Sequence, residues 1–496
     1  MKFSLLYKTE EPTAVLDKNL LYDLSLDRSV SSFCVDTKRQ KYVLDLLAKP
    51  LLCSEDILYR QDILKDFLED SNFMLRLRDA LEHLAEIGGE HRRNRMQAMA
   101  VIHSGDAGHE YSNTVSLLHL AIQAISAYFN GFTSAYALLQ KANIASEGLI
   151  RLRERLAQLT SPASKEFLQY ILRFSDITLS DCNAIRLHVN EMAKITDCEL
   201  LRVTQKTSGA AVSTGFFKRI FEKKEKAPED DAISQVTLST VSPPLRESIL
   251  GSAFAEVNDI LGAIVRSLED EFSSLGEEMR FYQFGNAFHR GMTKMNLPVC
   301  FPQIADTAVM ECTELRDVFL CATTVTPEKI VPNDVHFSDR IRGILIRGEN
   351  NSGKTVYLRS VCCAQLMAQS GLPVCAATAR IGIRRSLYTQ FASGEKEFSV
   401  GNDAGRFEQE VREVVKIVDA LVPGSLVILN ETFQTTAYAE GAEGLYPILN
   451  YINEMGGGWI LVTHLHDLFN RFSDENIVKM QTMHGDRQYK LEKFPS

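Results

Sequence analysis

One stretch of eight residues has the spacing of a phosphate-binding loop. Its G-x-x-x-x-G-K-[ST] pattern is formed by Gly348, Glu349, Asn350, Asn351, Ser352, Gly353, Lys354 and Thr355. Such glycines let the backbone curl so that successive N–H groups point at phosphate oxygens. Lys354 can then reach the β and γ oxygens, and Thr355 can bind Mg²⁺ at the start of a helix. Because the largely apolar run at 342–346 supplies the preceding strand, the stretch predicts a nucleoside triphosphate site. A chance match in an ordinary strand-turn-helix is the alternative.

Two further strands end in residues that could act on the same triphosphate. The strands are expected over residues 343–347, 425–429 and 459–463. In phosphate-loop ATPases a second strand ends in acidic residues that organise Mg²⁺ and the attacking water, and here it runs into Asn430 and Glu431. We predict that Glu431 is the general base. The third strand delivers His464 to the same edge, where it could sense the γ-phosphate; an ordinary surface or core histidine is the alternative.

Composition limits the classes of protein to which the chain can belong. Its 496 residues are 45% hydrophobic and 24% charged, which predicts two to four globular domains. The 54 Lys and Arg residues against 64 Asp and Glu residues give a net charge of −10, so any DNA contact must come from a local basic face. The ten cysteines have no CxxC spacing and are expected to be reduced thiols. We expect a cytoplasmic protein, nucleoid-associated if bacterial, that is neither exported nor inserted in a membrane.

The apolar spacing divides the chain into a helical part and an α/β part. One seam with a period of 3.5 is formed by Leu118, Ile122, Ile125, Phe129, Phe132, Tyr136 and Leu139. A second seam is formed by Val257, Leu261, Ile264, Leu268, Phe272, Leu275, Met279 and Tyr282. Both seams predict long helices, the second one following Pro243 and Pro244. From about residue 300, short β-branched strands alternate with helices, as a parallel sheet requires.

Three regions are therefore expected. Residues 1–110 would form the first part of a helical core, residues 111–299 two long helices with a polar tip loop near 205–243, and residues 300–496 the α/β domain. The tip loop includes the charged residues 223–231, which are too polar to fold on their own.

The order and spacing of these motifs resemble the ATPase domain of the MutS mismatch-repair family. The family's G-P-N-x-x-G-K-S loop matches residues 348–355, its D-E-x-G-R-G-T-S-x-x-D/E-G stretch corresponds to residues 430–441, and its T-H motif corresponds to Thr463 and His464. Residues 331–334, Val-Pro-Asn-Asp, resemble the family's segment that touches the nucleotide base. Residues 46–51 and 57–61 are similar to a segment of the family's helical core.

The resemblance implies a multidomain fold with an all-α core, long lever helices and a C-terminal α/β P-loop NTPase domain of the ABC type. It implies ATP and Mg²⁺ as cofactors, a homodimer with composite ATP sites, and double-stranded or branched DNA as a partner in repair or recombination. Residues 348–355 would bind the nucleotide together with Asn333 and Gly405. The metal residues would be Thr355, Asn430 and Glu431, and the catalytic residues would be Lys354, Glu431 and His464.

The sequence also departs from the family. Asn430 replaces an Asp that organises Mg²⁺, and the loss of a negative charge should weaken metal binding and slow hydrolysis. The signature loop that reaches the partner's γ-phosphate matches Gly405, whose N–H could still donate, and Arg406, which is either a trans cation or a solvated helix residue. The family's amino-terminal mismatch-recognition domain is not matched. Residues 254–256 have the letters of its Phe-x-Glu wedge, which we treat as coincidence.

Two basic clusters are candidate DNA contacts. Residues 91–95 and residues 216–221 combine cations with amide or aromatic side chains, as a phosphate-tracking surface would, and each is otherwise a solvated face. The prediction is ATP hydrolysis at a dimer interface that gates DNA binding. A nucleotide-switched dimeric scaffold with little hydrolysis and no DNA binding is the alternative, and a metabolic kinase is a third hypothesis.

Overall fold

The computed structural model describes residues 3–9, 14–104, 110–172, 182–189, 195–203, 233–237, 243–324, 326, 329–338, 340–391, 403–433, 438–472 and 475–494. The chain divides into two compact units. Unit 1 consists of Met1–Phe3, Leu75–Ala142 and Arg151–Glu277, and unit 2 consists of Ser4–Met74, Asn143–Ile150 and Glu278–Ser496. The fold is helix-rich and contains mixed α/β sheets.

The helices and strands are numbered in chain order. The helices are α1 (Lys18–Asp23), α2 (Leu26–Phe33), α3 (Thr37–Leu47), α4 (Ser54–Glu69), α5 (Ser71–Ser104), α6 (Glu110–Lys141), α7 (Glu147–Leu159), α8 (Pro162–Leu172), α9 (Pro243–Lys294), α10 (Val318–Thr323), α11 (Lys354–Gln369), α12 (Asp403–Ala420), α13 (Tyr438–Glu454) and α14 (His466–Arg471). The strands are β1 (Cys182–Val189), β2 (Ile195–Val203), β3 (Ile233–Thr237), β4 (Gln303–Ala305), β5 (Met310–Leu315), β6 (Asn333–Phe337), β7 (Gly343–Arg347), β8 (Thr378–Gly382), β9 (Leu387–Phe391), β10 (Leu426–Asn430), β11 (Gly458–Val462), β12 (Ile477–Thr482) and β13 (Leu491–Lys493).

Long helices dominate unit 1. The two helices predicted from the apolar seams are present as α6, with 32 residues, and α9, with 52 residues. The seam residues Leu118, Ile122, Phe132 and Leu139 of α6 are buried, as the 3.5-residue spacing predicted. The 34-residue α5 is a third long helix that was not singled out from the sequence, because its apolar residues are interrupted by the charged run at 90–95.

Unit 1 also contains an antiparallel sheet that the sequence analysis did not predict. Its strand order is β2-β1-β3, with Leu187 opposite Cys198 and Ile185 opposite Val236. Strands β1 and β2 therefore lie in a region expected to be helical, and β3 falls inside the stretch expected to be a polar loop. The rest of that stretch, including the basic cluster at 216–221, lies outside the described residues.

One described helix segment is long and apolar enough to cross a membrane by composition. It is Thr114–Lys141 of α6, and 44% of its most apolar window is buried inside the protein. Because a core helix passes the same test, length and composition do not identify a membrane span here.

Unit 2 is built on a six-stranded sheet. Its order is β13-β12-β7-β11-β10-β9, in which only β13 is antiparallel to its neighbour. The strand predicted at residues 343–347 is confirmed, and those predicted at 425–429 and 459–463 are each displaced by one residue. Strands β10 and β11 are buried along their whole length, as expected for parallel strands covered on both faces. Trp459 is fully buried in the core between this sheet and its helices.

A smaller sheet and the amino-terminal helices complete unit 2. The sheet has the order β4-β8-β5-β6. From α4, the fully buried Arg60 donates hydrogen bonds to the carbonyl oxygens of Leu6 and Ser370, at 2.8 and 3.2 Å. Gln369, the last residue of α11, donates to the carbonyl of Leu51 at 2.9 Å. These buried bonds fasten the end of α11 to residues near the amino terminus, and Ser4–Met74 therefore belongs to the same compact unit as residues 300–496.

Candidate nucleotide-binding site

Three strands bring the predicted site residues to one edge of the large sheet. In the parallel register, Asn430 pairs with Val462, and Val462 pairs with Ile346. The ladder continues past the strands: the N–H of Glu431 donates to the carbonyl of Val462 at 2.9 Å, and the N–H of Thr463 donates to the carbonyl of Ile346 at 3.0 Å. The carboxyl ends of β7, β10 and β11 thus meet, which is where open α/β sheets bind ligands.

The loop between β7 and α11 favours glycine at both ends, for a different reason at each. Gly353 has φ of +92°, in the left-handed region that favours glycine. A Cβ added to Gly348 would lie 1.9 Å from Oγ1 of Thr482 on the neighbouring β12. Inside the loop, the hydroxyl oxygen of Ser352 is buried and has no hydrogen-bond partner among the described residues. A close-fitting turn with a spare polar group at the start of α11 is suited to an anion.

Lys354 is buried at the first position of α11. Its ammonium group donates to the carbonyl oxygens of Gly348 and Glu349, at 2.7 and 2.8 Å, so the side chain curls back over its own loop. Burial lowers the pKa of Lys354, and the nearby carboxylate of Glu431 acts in the opposite direction. A cation aimed at the centre of a glycine loop is the arrangement that phosphate oxygens require.

Glu431 lies between two nitrogen groups from other elements. Its Oε1 is 3.7 Å from Nζ of Lys354 and 3.6 Å from Nε2 of His464. The side chains of Glu431 and His464 are 28% and 33% exposed, which leaves both within reach of a ligand in solution. Glu431 has φ of +60°, an unusual backbone for a residue other than glycine. The structure therefore places all three predicted catalytic residues together.

Two side chains near this carboxylate could bind a cation. The amide nitrogen of Asn430 donates to Oγ1 of Thr355 at 3.3 Å, and Oδ1 of Asn430 is buried without a hydrogen-bond partner among the described residues. Within the same residues, no three His, Cys, Asp or Glu side chains come together as a metal site. The donor set thus fits Mg²⁺ held mainly by phosphate and water, since Mg²⁺ usually takes one or two protein ligands of this kind.

Asn333 is connected to the end of the chain. Its Nδ2 donates to the carbonyl of Tyr489 at 3.0 Å, and its Oδ1 accepts from the N–H of Leu491 at 2.7 Å. Tyr489 itself was not singled out from the sequence. It is 45% exposed, and a Cβ on Gly353 would lie 3.3 Å from its ring. An exposed aromatic side chain beside a phosphate-type loop offers a surface on which a base can stack.

The remaining predicted residue, Gly405, lies in the first turn of α12. The side chain of Arg406 lies outside the described residues, so its two predicted roles stay open. Of the stretch matched at 430–441, residues 434–437 are also outside the described part of the chain.

A separate groove lies on the small sheet. It has a volume of about 610 Å³. Asp334 of the segment 331–334 lines it, but none of the predicted catalytic or metal residues does. Its Glu311 is paired with His336 at 3.5 Å and with Arg380 at 3.3 Å. The convergence of chemical groups favours the sheet edge over this groove as the functional site.

The sequence of this domain matches a known family. Residues 344–494 match the family described as MutS domain V, a match that begins in β7 and ends just after β13. This carboxy-terminal domain belongs to the MutS family. The predicted resemblance is confirmed for this part of the chain.

Relatives of the MutS domain carry two names. A protein named Endonuclease MutS2 from Symbiobacterium thermophilum is 26% identical over 238 residues, which cover 48% of this chain and 29% of the relative. Another from Streptococcus gordonii is 31% identical over 34% of this chain and 20% of its own length. A DNA mismatch repair protein MutS from Caldanaerobacter subterraneus subsp. tengcongensis is 32% identical over 29% of this chain and 16% of its own length. The matches thus span less than a third of each of these relatives.

Proposed function

We propose that the chain is a MutS-type ATPase that binds ATP with Mg²⁺, hydrolyses it, and uses the nucleotide to control DNA binding in repair or recombination. One observation carries the proposal: Glu431 lies within 4 Å of both Lys354 and His464 beside a glycine loop. Carboxylate, ammonium and imidazole groups at one sheet edge are the groups that phosphoryl transfer to water requires. The names of the relatives and the family match support the DNA part.

Each residue has a separate role in this proposal. Lys354 exchanges its loop carbonyls for the β and γ oxygens, and the N–H groups of residues 348–353 bind the same phosphates. Glu431 orients the attacking water, and His464 donates to the γ-phosphate. Thr355 and Asn430 hold Mg²⁺, which neutralises charge on the phosphates when bound. Tyr489 stacks on the base. The amide of Asn333 makes no direct contact with the base in this proposal, because it is already hydrogen-bonded to the backbone of Tyr489 and Leu491.

The DNA-binding face proposed in unit 1 is the part of the basic cluster at α5 that faces α9. Nη1 of Arg95 and Nη1 of Arg266 lie 2.8 and 3.3 Å from the position of a Cβ on Gly262. Burial, followed by the charges of Arg95 and Arg266, lowers the pKa of His91. Among the described residues neither arginine has an acidic partner within 4 Å, whereas Arg92 is paired with Glu269. Two neighbouring guanidinium groups without a carboxylate attract a phosphate backbone.

The proposed assembly is a homodimer in which α12 of one subunit completes the ATP site of the other. The family resemblance at Gly405 supports this arrangement, and ATP would then hold the two subunits together on DNA. If so, a variant that binds ATP without hydrolysing it should remain dimeric in ATP and return to its nucleotide-free state when ATP is removed. Light scattering after size exclusion measures the change in mass.

A nucleotide-switched scaffold is the second candidate function. The observation that favours it is the neutral Asn430, whose amide is bonded to Thr355 at the place where a carboxylate would bind Mg²⁺. Slow hydrolysis would leave the chain in its ATP-bound form for long periods. In that case, binding of partner proteins would depend on ATP, and binding of DNA would be absent.

Hydrolysis is tested with Glu431→Ala. We expect kcat for ATP to fall by about a hundredfold or more, because the water loses its base, while ATP affinity changes little. Glu454→Ala is the matched control, since Glu454 is an exposed acidic residue at the end of α13. Equal turnover of the wild type and Glu431→Ala would overturn the catalytic assignment.

DNA binding is tested by filter binding of a linear duplex and a four-way junction, with and without ATP. A DNA-binding protein loses affinity steeply between about 50 and about 200 mM salt. Retention that depends on salt and changes with ATP supports the first function. Retention at background level at the lower salt concentration supports the scaffold.

A further inference from the structure

The segment that carries Glu431 has an unusual backbone. Glu431 and Phe433 both have left-handed φ angles, of +60° and +62°. This region is disfavoured for residues other than glycine, most of all for bulky ones such as phenylalanine. Such a conformation persists only where the surroundings hold it. The contacts of residues 431–433 therefore decide where the Glu431 carboxylate lies.

Hydrogen bonds from three different elements hold the segment. The N–H of Glu431 donates to the end of β11, and Oγ1 of Thr432 bonds to Oε1 of the buried Gln390 at the end of β9. The N–H of Phe433 donates to Oε2 of Glu410 at 2.9 Å. Phe433 is 5% exposed, so without Glu410 its N–H would lose its acceptor in a buried place.

Glu410 belongs to α12, and this helix contacts Phe433 twice. The ring of Phe407, one turn before Glu410, packs edge-on against the ring of Phe433, with centroids 5.6 Å apart and an interplanar angle of 61°. Because one turn of α12 contacts both the backbone and the ring of Phe433, a shift of that turn would also move Phe433. Glu431, whose carboxylate is proposed to orient water, lies two residues before Phe433 in the chain.

We propose that Glu410 is a positioning residue for ATP hydrolysis, which holds the left-handed 431–433 segment and makes the placement of Glu431 depend on α12. This inference rests on the proposed function of the site and adds a regulatory contact to it. Glu410 is not one of the residues predicted to bind nucleotide or metal or to act in catalysis. Its effect reaches the reaction through Phe433, so a shift of α12 on assembly would change turnover without changing the grip of Lys354 on phosphate.

Nucleotide affinity should be separable from turnover in this arrangement. The ammonium group of Lys354 is held by the carbonyls of Gly348 and Glu349. Its distance of 3.7 Å from Glu431 is too long for a hydrogen bond. Displacement of Glu431 therefore leaves the phosphate-binding groups in place.

The test compares kcat and ATP dissociation constants of Glu410→Ala, Glu410→Gln and Glu410→Asp. For Glu410→Ala we expect kcat to fall by about tenfold or more, with the dissociation constant within about twofold of wild type. Glu410→Gln should keep most of the turnover, because its amide oxygen still accepts the N–H of Phe433. Glu410→Asp, which is one methylene shorter, should fall between them. The control is Glu413→Ala, because Glu413 accepts from Gln409 of its own helix at 3.2 Å.

A second measurement does not depend on turnover. Hydrogen exchange of a peptide containing residues 429–433 should be faster in Glu410→Ala than in wild type, Glu410→Gln or Glu413→Ala. If the wild type itself hydrolyses no ATP, the proposed function fails while the exchange result still decides the role of Glu410. Unchanged exchange in Glu410→Ala overturns the proposal. So does a loss of turnover in Glu410→Gln as large as in Glu410→Ala, or an equal loss of affinity and turnover. If Glu410→Ala does not fold, the same measurements are compared between Glu410→Asp and the wild type.

Discussion

The amide nitrogen of Asn430 donates a hydrogen bond to the hydroxyl oxygen of Thr355 at 3.3 Å. The bond joins the end of β10 to the first turn of α11, and it uses the hydroxyl that would face Mg²⁺. Oδ1 of Asn430 is left buried without a partner among the described residues. A neutral side chain therefore occupies the place where a carboxylate would supply charge to the metal.

Asn430→Asp should strengthen Mg²⁺ binding and speed hydrolysis. The carboxylate adds a negative charge beside Thr355 and can accept a hydrogen bond from its hydroxyl. We expect the Mg²⁺ concentration for half-maximal turnover to fall by about tenfold, the effect of one added charged ligand. Steady-state ATPase measurements over a range of Mg²⁺ concentrations give the result. Asn470→Asp, at an exposed position of α14, is the control for added charge. An Asn430→Asp protein with unchanged Mg²⁺ dependence would contradict the metal assignment.

As pH rises, ATP affinity should begin to decline at a lower pH than it would if Lys354 had the pKa of an ordinary lysine. Burial lowers the pKa of Lys354 below its usual value of 10.5, so its positive charge is lost at a lower pH than that of an ordinary lysine as pH rises through the lowered pKa. Glu431 raises that pKa, so Glu431→Gln should move the loss of affinity to lower pH. Dissociation constants measured from neutral pH upward test both signs. Identical profiles for wild type and Glu431→Gln would mean that the two groups do not interact.

Removal of Arg95 and Arg266 should weaken DNA binding and make it less dependent on salt concentration. In the double variant Arg95→Ala and Arg266→Ala, the slope of log affinity against log salt should become less steep by about two, one for each phosphate contact. Arg76→Ala is the control, since Arg76 is exposed elsewhere on α5. If the double variant and Arg76→Ala have the slope of the wild type, DNA does not contact this face.

Stability of unit 2 should respond to the contact between Gly343 and Trp459. A Cβ on Gly343 would lie 2.3 Å from the Trp459 ring, which is fully buried and has little room to move. We expect Gly343→Ala to lower the free energy of unfolding by about 1–3 kcal/mol through overpacking. Urea denaturation followed by the fluorescence of Trp459, the only tryptophan of the chain, measures it.

Gly444→Ala provides the matched comparison in the same unit. Gly444 lies within α13, and its added Cβ would meet the Phe433 ring at an ordinary 3.5 Å. Alanine should therefore be neutral or should stabilise by up to about 1 kcal/mol, from helix propensity alone. Equal effects at the two glycines would show that the Trp459 contact does not decide the outcome.

Local patterns predicted much of the fold. Strand β7 and the helices α6 and α9 follow from β-branched runs and from apolar spacing, because these signals lie within one element. The sheet β1–β3 was missed, since its strands lie near a polar, charged stretch whose composition indicated a loop. The grouping of Ser4–Met74 with the carboxy-terminal domain was missed as well, because it depends on bonds such as that of Arg60 to Ser370, which are distant in sequence.

The sequence by itself determined the chemical groups of the site, the order in which they occur and the family of the carboxy-terminal domain, since motif spacing is a property of the chain alone. Only the tertiary structure decided that Lys354 is buried against its own loop, that Asn430 bonds to Thr355, and that Glu410 holds the segment behind Glu431. The physical reason is that strand order and helix packing set these contacts. Burial and hydrogen-bond partners depend on distances across the sheet edge, and the spacing of residues along the chain does not encode them.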